Sequence, residues 1–307
     1  MPKLSPLARM RLFPFLPPDP DSKENACPVA RFPTLRLGDL IVDDEDSFSH
    51  VGLYGDLRAL VEASDHRFMV LRSHVRQASW DRAAFLNLTF WHAAEPVDVL
   101  VDEHIAADVV GHVGWHLLAS RHLAPAKTRG GGLAPATLLL SEAIASAFDM
   151  YLVGRLLGHR PESEFLQTQV PTMADVAEGA GMGEEAFEAM LESVSADPER
   201  AFEDLRALLF DAAMALYGCS DVEGAAKVLD DLEDRRFAPL LHHYELSNWV
   251  LDARAYGAAG DTGEQALGVD RTLREVPVAL DWLEKHWVRP EVDRSTEKHP
   301  PRRARPR

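Results

Sequence analysis

The stretch 136-ATLLLSEAIASAFDMYLVGRLLG reads as one long helix that stops near Gly158 and Pro161. It carries an ionisable carboxylate, Glu142, set among Leu138, Leu139, Leu140, Ile144 and Phe148. Such a helix has to be packed into a core. An unpaired charge buried there costs on the order of several kcal/mol, so a partner for Glu142 is required from elsewhere in the chain.

The segment before it supplies a candidate. After Asp102, a plausible N-cap, 103-EHIAADVVGHVGWHLLASRHL predicts a helix whose apolar positions Ile105, Val109, Val113 and Leu117 recur at one turn and which ends before Pro125. The connection 124-APAKTRGGGLAPA is a flexible loop with three consecutive glycines, so the two helices can pack as antiparallel neighbours. Within the first lies 111-GHVGWH. Four residues along a helix turn by about 40° and rise about 6 Å, so His112 and His116 project from nearly the same side and can hold one metal ion between them. In a chain with 13 histidines, one pair at this spacing is close to what chance supplies, and the pair gains weight from Glu142 on the next helix. Ser146 and Asp149 lie on the same side of that helix as Glu142, and Asp108 lies one turn before His112; all three are placed to support a ligand shell.

From residue 97 to 158 this pattern resembles the zincin metallopeptidases, specifically the branch with a His-Glu-x-x-His helix and a glutamate third ligand on a later helix, after a sheet. The resemblance implies that His112, His116 and Glu142 are the ligands of one divalent ion. Zinc is the default for two imidazoles and a carboxylate, and iron is the runner-up from the 2-His-1-carboxylate ligand type. The chain departs from the family where its catalytic glutamate would follow the first histidine: that position is Val113. A valine removes the group that takes a proton from the metal-bound water, which leaves Glu103, His104 and Asp108 as substitutes by proximity alone. Two outcomes follow: a metal-dependent hydrolase acting on an unidentified peptide or small molecule, or a catalytically degenerate descendant. A reading of another class also stands, a non-enzymatic helical interaction or structural protein without metal, in which the histidines are hydrogen-bonded to neighbours.

The rest of the chain gives architecture. Residues 1–35 form a proline-rich arm, and 36–290 a single α+β domain, mainly α: strand-rich over 36–101, two helices with the candidate site over 102–160, helical over 161–290. Strands are expected at 36-RLGDLIVDD, 67-RFMVLRSHV, 84-AFLNLTFW and 97-VDVLVD. The clearest helix is 197-DPERAFEDLRALLFDAAMALYG, with Asp197 as cap and Pro198 in the first position, and further helices are expected at about 221–235, 238–257 and 276–287. The cluster 242-HHYELSNW falls on one of these; it offers a fourth ligand or a substrate contact, against the reading in which Tyr244 and Trp249 are core and the histidines sit at the wet edge. Residues 291–307 read as a basic disordered tail able to contact an acidic partner.

Other function classes are disfavoured. The formal net charge of -17 repels phosphate backbones, which excludes nucleic acid as a partner for the acidic body. The segment 172-TMADVAEGAGMGEEAFEAML resembles the helix-turn-helix of tetracycline-regulator repressors, but Glu184, Glu185 and Glu188 occupy the would-be recognition helix, so it is read as packing. A Walker-type loop and a nucleophile elbow are both absent, and no membrane span is expected, which places the protein in the cytoplasm. Cys27 and Cys219 form no metal-type pair.

Overall fold

The computed structural model describes residues 34–70, 98–100, 102–123, 133–258 and 263–298. The architecture is α+β and mainly α, with short strands toward the N-terminus. The strands among the described residues are β1 (Thr34–Leu35), β2 (Ile41–Asp43), β3 (Phe68–Val70), β4 (Asp98–Leu100) and β5 (His104–Ala106). The chain divides into two units, Met1–Leu35 with Arg67–Glu103, and Arg36–His66 with His104–Arg307, where the sequence suggested one domain over 36–290.

In the smaller unit β3 is central, antiparallel to β1 and parallel to β4. The expected strands at 67-RFMVLRSHV and 97-VDVLVD are found in part, as β3 and β4, whereas 84-AFLNLTFW lies outside the described residues. The segment 36-RLGDLIVDD is not one strand. A 3-10 turn at Leu37–Asp39 interrupts it, because the Asp39 carboxylate accepts from the Arg36 backbone N–H at 3.2 Å and closes the turn.

In the larger unit β2 pairs in parallel with β5, and the helices are α1 (Glu45–Phe48), α2 (Gly52–Ala63), α3 (Ala107–His122), α4 (Pro135–Leu157), α5 (Glu164–Gly179), α6 (Glu184–Ala196), α7 (Pro198–Gly218), α8 (Val222–Asp230), α9 (Leu246–Tyr256), α10 (Glu264–Glu275), α11 (Ala279–Leu283) and α12 (Arg289–Lys298). α2 lies where strands were expected; its buried Leu53, Leu57, Leu60 and Val61 carry the three-and-four spacing of a helix face. α10 was not foreseen either: its core contacts are only Ala266, Asp270 and Leu273, too sparse a stripe to stand out.

Three boundaries also differ. Residues 104–106 pair as β5, so α3 begins at Ala107 rather than behind Asp102, and Ile105 is buried in a strand. The buried face of α3 consists of Val110, Val113, Trp115, Leu118 and Ala119, while Val109 is exposed, so the apolar stripe runs on a different phase from the one expected. The segment 242-HHYELSNW is not one helix, because Glu245 sits in the left-handed region at φ 48° and separates a 3-10 segment, Ala238–Tyr244, from α9. At the C-terminus, Arg289–Lys298 is helical where a tail was expected, with Arg121 donating to Glu291 at 2.8 Å; residues 299–307 lie outside the described residues.

α4 is the centre of the larger unit: α3, α6, α7, α9 and α10 all pack against it. It is long and apolar enough to cross a membrane by length and composition, yet 83% of its most apolar window is buried inside the protein. A helix that is apolar all round belongs in a core, and each fully buried leucine or phenylalanine here contributes about 1.5–3 kcal/mol. Packing against α3 is tight at Gly111: a Cβ there would lie 3.2 Å from Phe148 Cε1, so the ring would have to give by a few tenths of an ångström. A second buried feature sits on α7. Arg206 is 0% exposed and donates to both Glu203 oxygens at 2.8 Å and to Asp270 of α10 at 2.7 Å, and Arg274 closes the network by bridging Asp270 and Asp211.

Candidate metal centre

The helix pair brings together the three residues singled out above. His112 and His116 stand one turn apart on α3 with ring centroids 4.8 Å apart. Glu142, on α4, is 9% exposed and faces both rings: Oε2 lies 3.9 Å from His112 Nε2, and Oε1 lies 3.7 Å from His116 Nε2. One ligand atom from each of the three residues falls within 4.8 Å of the others. Two atoms each about 2 Å from a tetrahedrally bound ion are about 3.3 Å apart, so side-chain movements of about an ångström complete the sphere. The imidazoles are partly accessible, with 30% and 28% of their side-chain surface exposed, and an ion here would keep a route to solvent.

The far nitrogens of both rings are also engaged from α4. His116 Nδ1 lies 2.8 Å from Ser141 Oγ, and His112 Nδ1 lies 3.7 Å from Asp149 Oδ2. This follows from antiparallel packing: advancing one turn along α3 from His112 to His116 retreats along α4 from Asp149 to Ser141.

Of the other residues singled out from the sequence, Asp108 is half-buried beside His112 and Asp149; burial first, and the Asp149 charge second, push its carboxyl up to about 6. Ser146 is buried on α4. His104 is not at the site, because its Nδ1 lies 2.9 Å from Asp43 across the β2-β5 pair, and Glu103 is exposed. Val113 is 4% exposed and packed as core, so the position that carries the catalytic carboxylate in zincins points into the protein here.

Sequence reasoning missed Ser141 and Asp252, and reached His243 only as one member of the cluster 242-HHYELSNW. Ser141 adjoins Glu142 in a phase that suggested no contact with histidine. Asp252 of α9 is pushed up to about 6 by burial first and by the charge of Glu142 second. The His243 imidazole is held below its ordinary value by burial, against the opposing pull of Asp149. The last two belong to elements remote in sequence, which only the packing around α4 brings in.

The Asp108 shift yields a checkable pH dependence. Between about pH 4 and pH 6 the folded state keeps a proton that the unfolded chain has released, so this group's contribution to stability falls as pH rises through that window. Asp108→Asn is expected to stabilise the metal-free protein relative to wild type by about 1–2 kcal/mol at pH 8, after discounting for solvent contact, and by much less at pH 4. Denaturant unfolding at the two pH values measures the difference; an equal effect at both refutes the assignment.

No protein-family model matches the chain, and no curated protein or solved structure matches it.

Proposed function

We propose that this protein holds one divalent metal ion, zinc by default and iron as the alternative, through Nε2 of His112, Nε2 of His116 and the Glu142 carboxylate, as a zincin-like centre without the family's general base. The observation that carries the proposal is that one ligand atom from each of those three residues lies within 4.8 Å of the others, with the Glu142 carboxylate buried on a largely apolar helix. A cation answers the question that Glu142 poses, since it repays the burial of the charge and joins two imidazoles that the helix already aims at it. An ion so held supplies Lewis acidity and acidifies a coordinated water. His112 and His116 orient the centre, Glu142 neutralises part of its charge, and α4 fixes all three by packing.

The burial of Val113 favours a catalytically degenerate member over an active peptidase. Any hydrolysis would draw its base from another carboxylate near the centre, and its substrate would be a peptide or small molecule reaching the exposed edges of the imidazoles.

Metal analysis of the purified protein tests the proposal. About one equivalent of zinc or iron is expected, lost in His112→Ala and in Glu142→Ala variants that remain folded. Zinc retained after both changes refutes the ligand assignment; absence of metal from a protein that also fails to take up added zinc favours the non-enzymatic reading.

A further inference from the structure

We propose that Ser141 and Asp149 are the positioning residues of this centre, holding the two imidazoles by their Nδ1 atoms so that both Nε2 atoms face Glu142. The inference rests on the metal-centre reading and adds to it the groups that choose the tautomer and orientation of each ligand.

The argument starts from the two nitrogens of an imidazole. A neutral ring carries one proton, and the nitrogen without it is the one able to bind a cation; a partner that accepts a hydrogen bond from Nδ1–H therefore leaves the lone pair on Nε2. Ser141 Oγ stands 2.8 Å from His116 Nδ1, at ordinary hydrogen-bond length, and His116 Nε2 is the atom that faces Glu142 Oε1. Asp149 Oδ2 stands 3.7 Å from His112 Nδ1, about 1 Å beyond a hydrogen bond, and His112 Nε2 faces Glu142 Oε2. Closing that gap needs a side-chain movement of about 1 Å. Each ring thus has one nitrogen facing the common carboxylate and the other facing a separate oxygen of the same helix.

The other Asp149 oxygen, Oδ1, is buried and makes no hydrogen bond among the described residues. A side chain needed only for solvation would not bury an oxygen without a partner, since that costs about 1–3 kcal/mol. Its orientation is instead accounted for if the carboxylate serves His112. In metal centres of this type a carboxylate or hydroxyl behind the imidazole raises its basicity and fixes its plane, and removing that partner costs 10–100-fold in metal affinity.

The experiment measures zinc affinity by chelator competition on the full chain, wild type beside Ser141→Ala, Asp149→Asn and Ser141→Thr, with the absorption spectrum of the cobalt-substituted protein as the second readout. Ser141→Ala and Asp149→Asn are each expected to bind zinc about 10–100-fold more weakly, with an altered cobalt spectrum, while Ser141→Thr, which keeps a hydroxyl, restores near wild-type affinity. Both weakened variants replace partly exposed side chains with groups no larger, so they should fold, and thermal unfolding of the metal-free forms checks this; if one unfolds, the affinity of the other decides. Wild-type affinity and an unchanged spectrum in a folded Ser141→Ala or Asp149→Asn variant overturn the positioning role and leave the metal centre standing. A wild-type protein that takes up no zinc overturns the centre and the positioning role together.

Discussion

Zinc supplied at about a thousand times its dissociation constant is expected to raise the unfolding free energy of the wild-type protein by about 4 kcal/mol, and to leave Glu142→Gln at its metal-free stability. The size follows from mass action, because an ion that binds the folded state and not the unfolded one stabilises by RT ln(1 + [L]/Kd). The variant keeps the shape of the side chain and removes its charge, so the pocket survives while the anionic ligand is lost. Since imidazole and carboxylate ligands must be deprotonated to bind, the zinc-dependent gain should shrink as the solution is acidified. Thermal unfolding with and without zinc measures both effects. Equal zinc-dependent stabilisation of wild type and Glu142→Gln would remove Glu142 from the coordination sphere.

The second large effect is expected at Arg206→Met, which should lower stability by about 3–5 kcal/mol. Arg206 is fully enclosed and spans Glu203 on its own helix and Asp270 on α10, so its removal leaves a buried carboxylate without its main cation. Arg274 still reaches Asp270 at 2.9 Å, which places the loss toward the lower end of that range. The double change Arg206→Met with Asp270→Leu should recover much of the stability, because replacing both members of a buried pair by apolar groups is often neutral. Urea unfolding of the single and double variants supplies the comparison; a single variant within about 1 kcal/mol of wild type would mean that the network is solvated rather than enclosed.

How much of this was readable from the sequence depends on how local each signal is. α4 and α7 were legible because each is a long, largely apolar run that ends at a glycine, and in α7 a proline follows the capping Asp197; the structure adds Pro135 as the first residue of α4, where a loop was expected. The grouping of His112, His116 and Glu142 was legible for a related reason: a four-residue histidine spacing and a carboxylate set among leucines are both visible within single helices. α2 and α10 were not. α2 falls between the strand-like segments 36-RLGDLIVDD and 67-RFMVLRSHV, and α10 buries only Ala266, Asp270 and Leu273. The phase of α3 differs from the expected one because β5 takes His104–Ala106, residues whose spacing continues the helical pattern, so counting from Ile105 began one element too early. Ser141 and Asp252 could not be placed from sequence, and His243 only as one of a cluster, because their relation to the site depends on how α3, α9 and the Ala238–Tyr244 segment settle around α4.

The antiparallel match between α3 and α4 carries a mechanical consequence. If either helix slid by a single turn, about 5.4 Å, each imidazole would lose its present oxygen partners, a displacement larger than the 4.8 Å spread of the whole ligand group. An ion bound there would act as a bolt across the two helices, so that a chain which had given up chemistry would still have reason to keep its ligands.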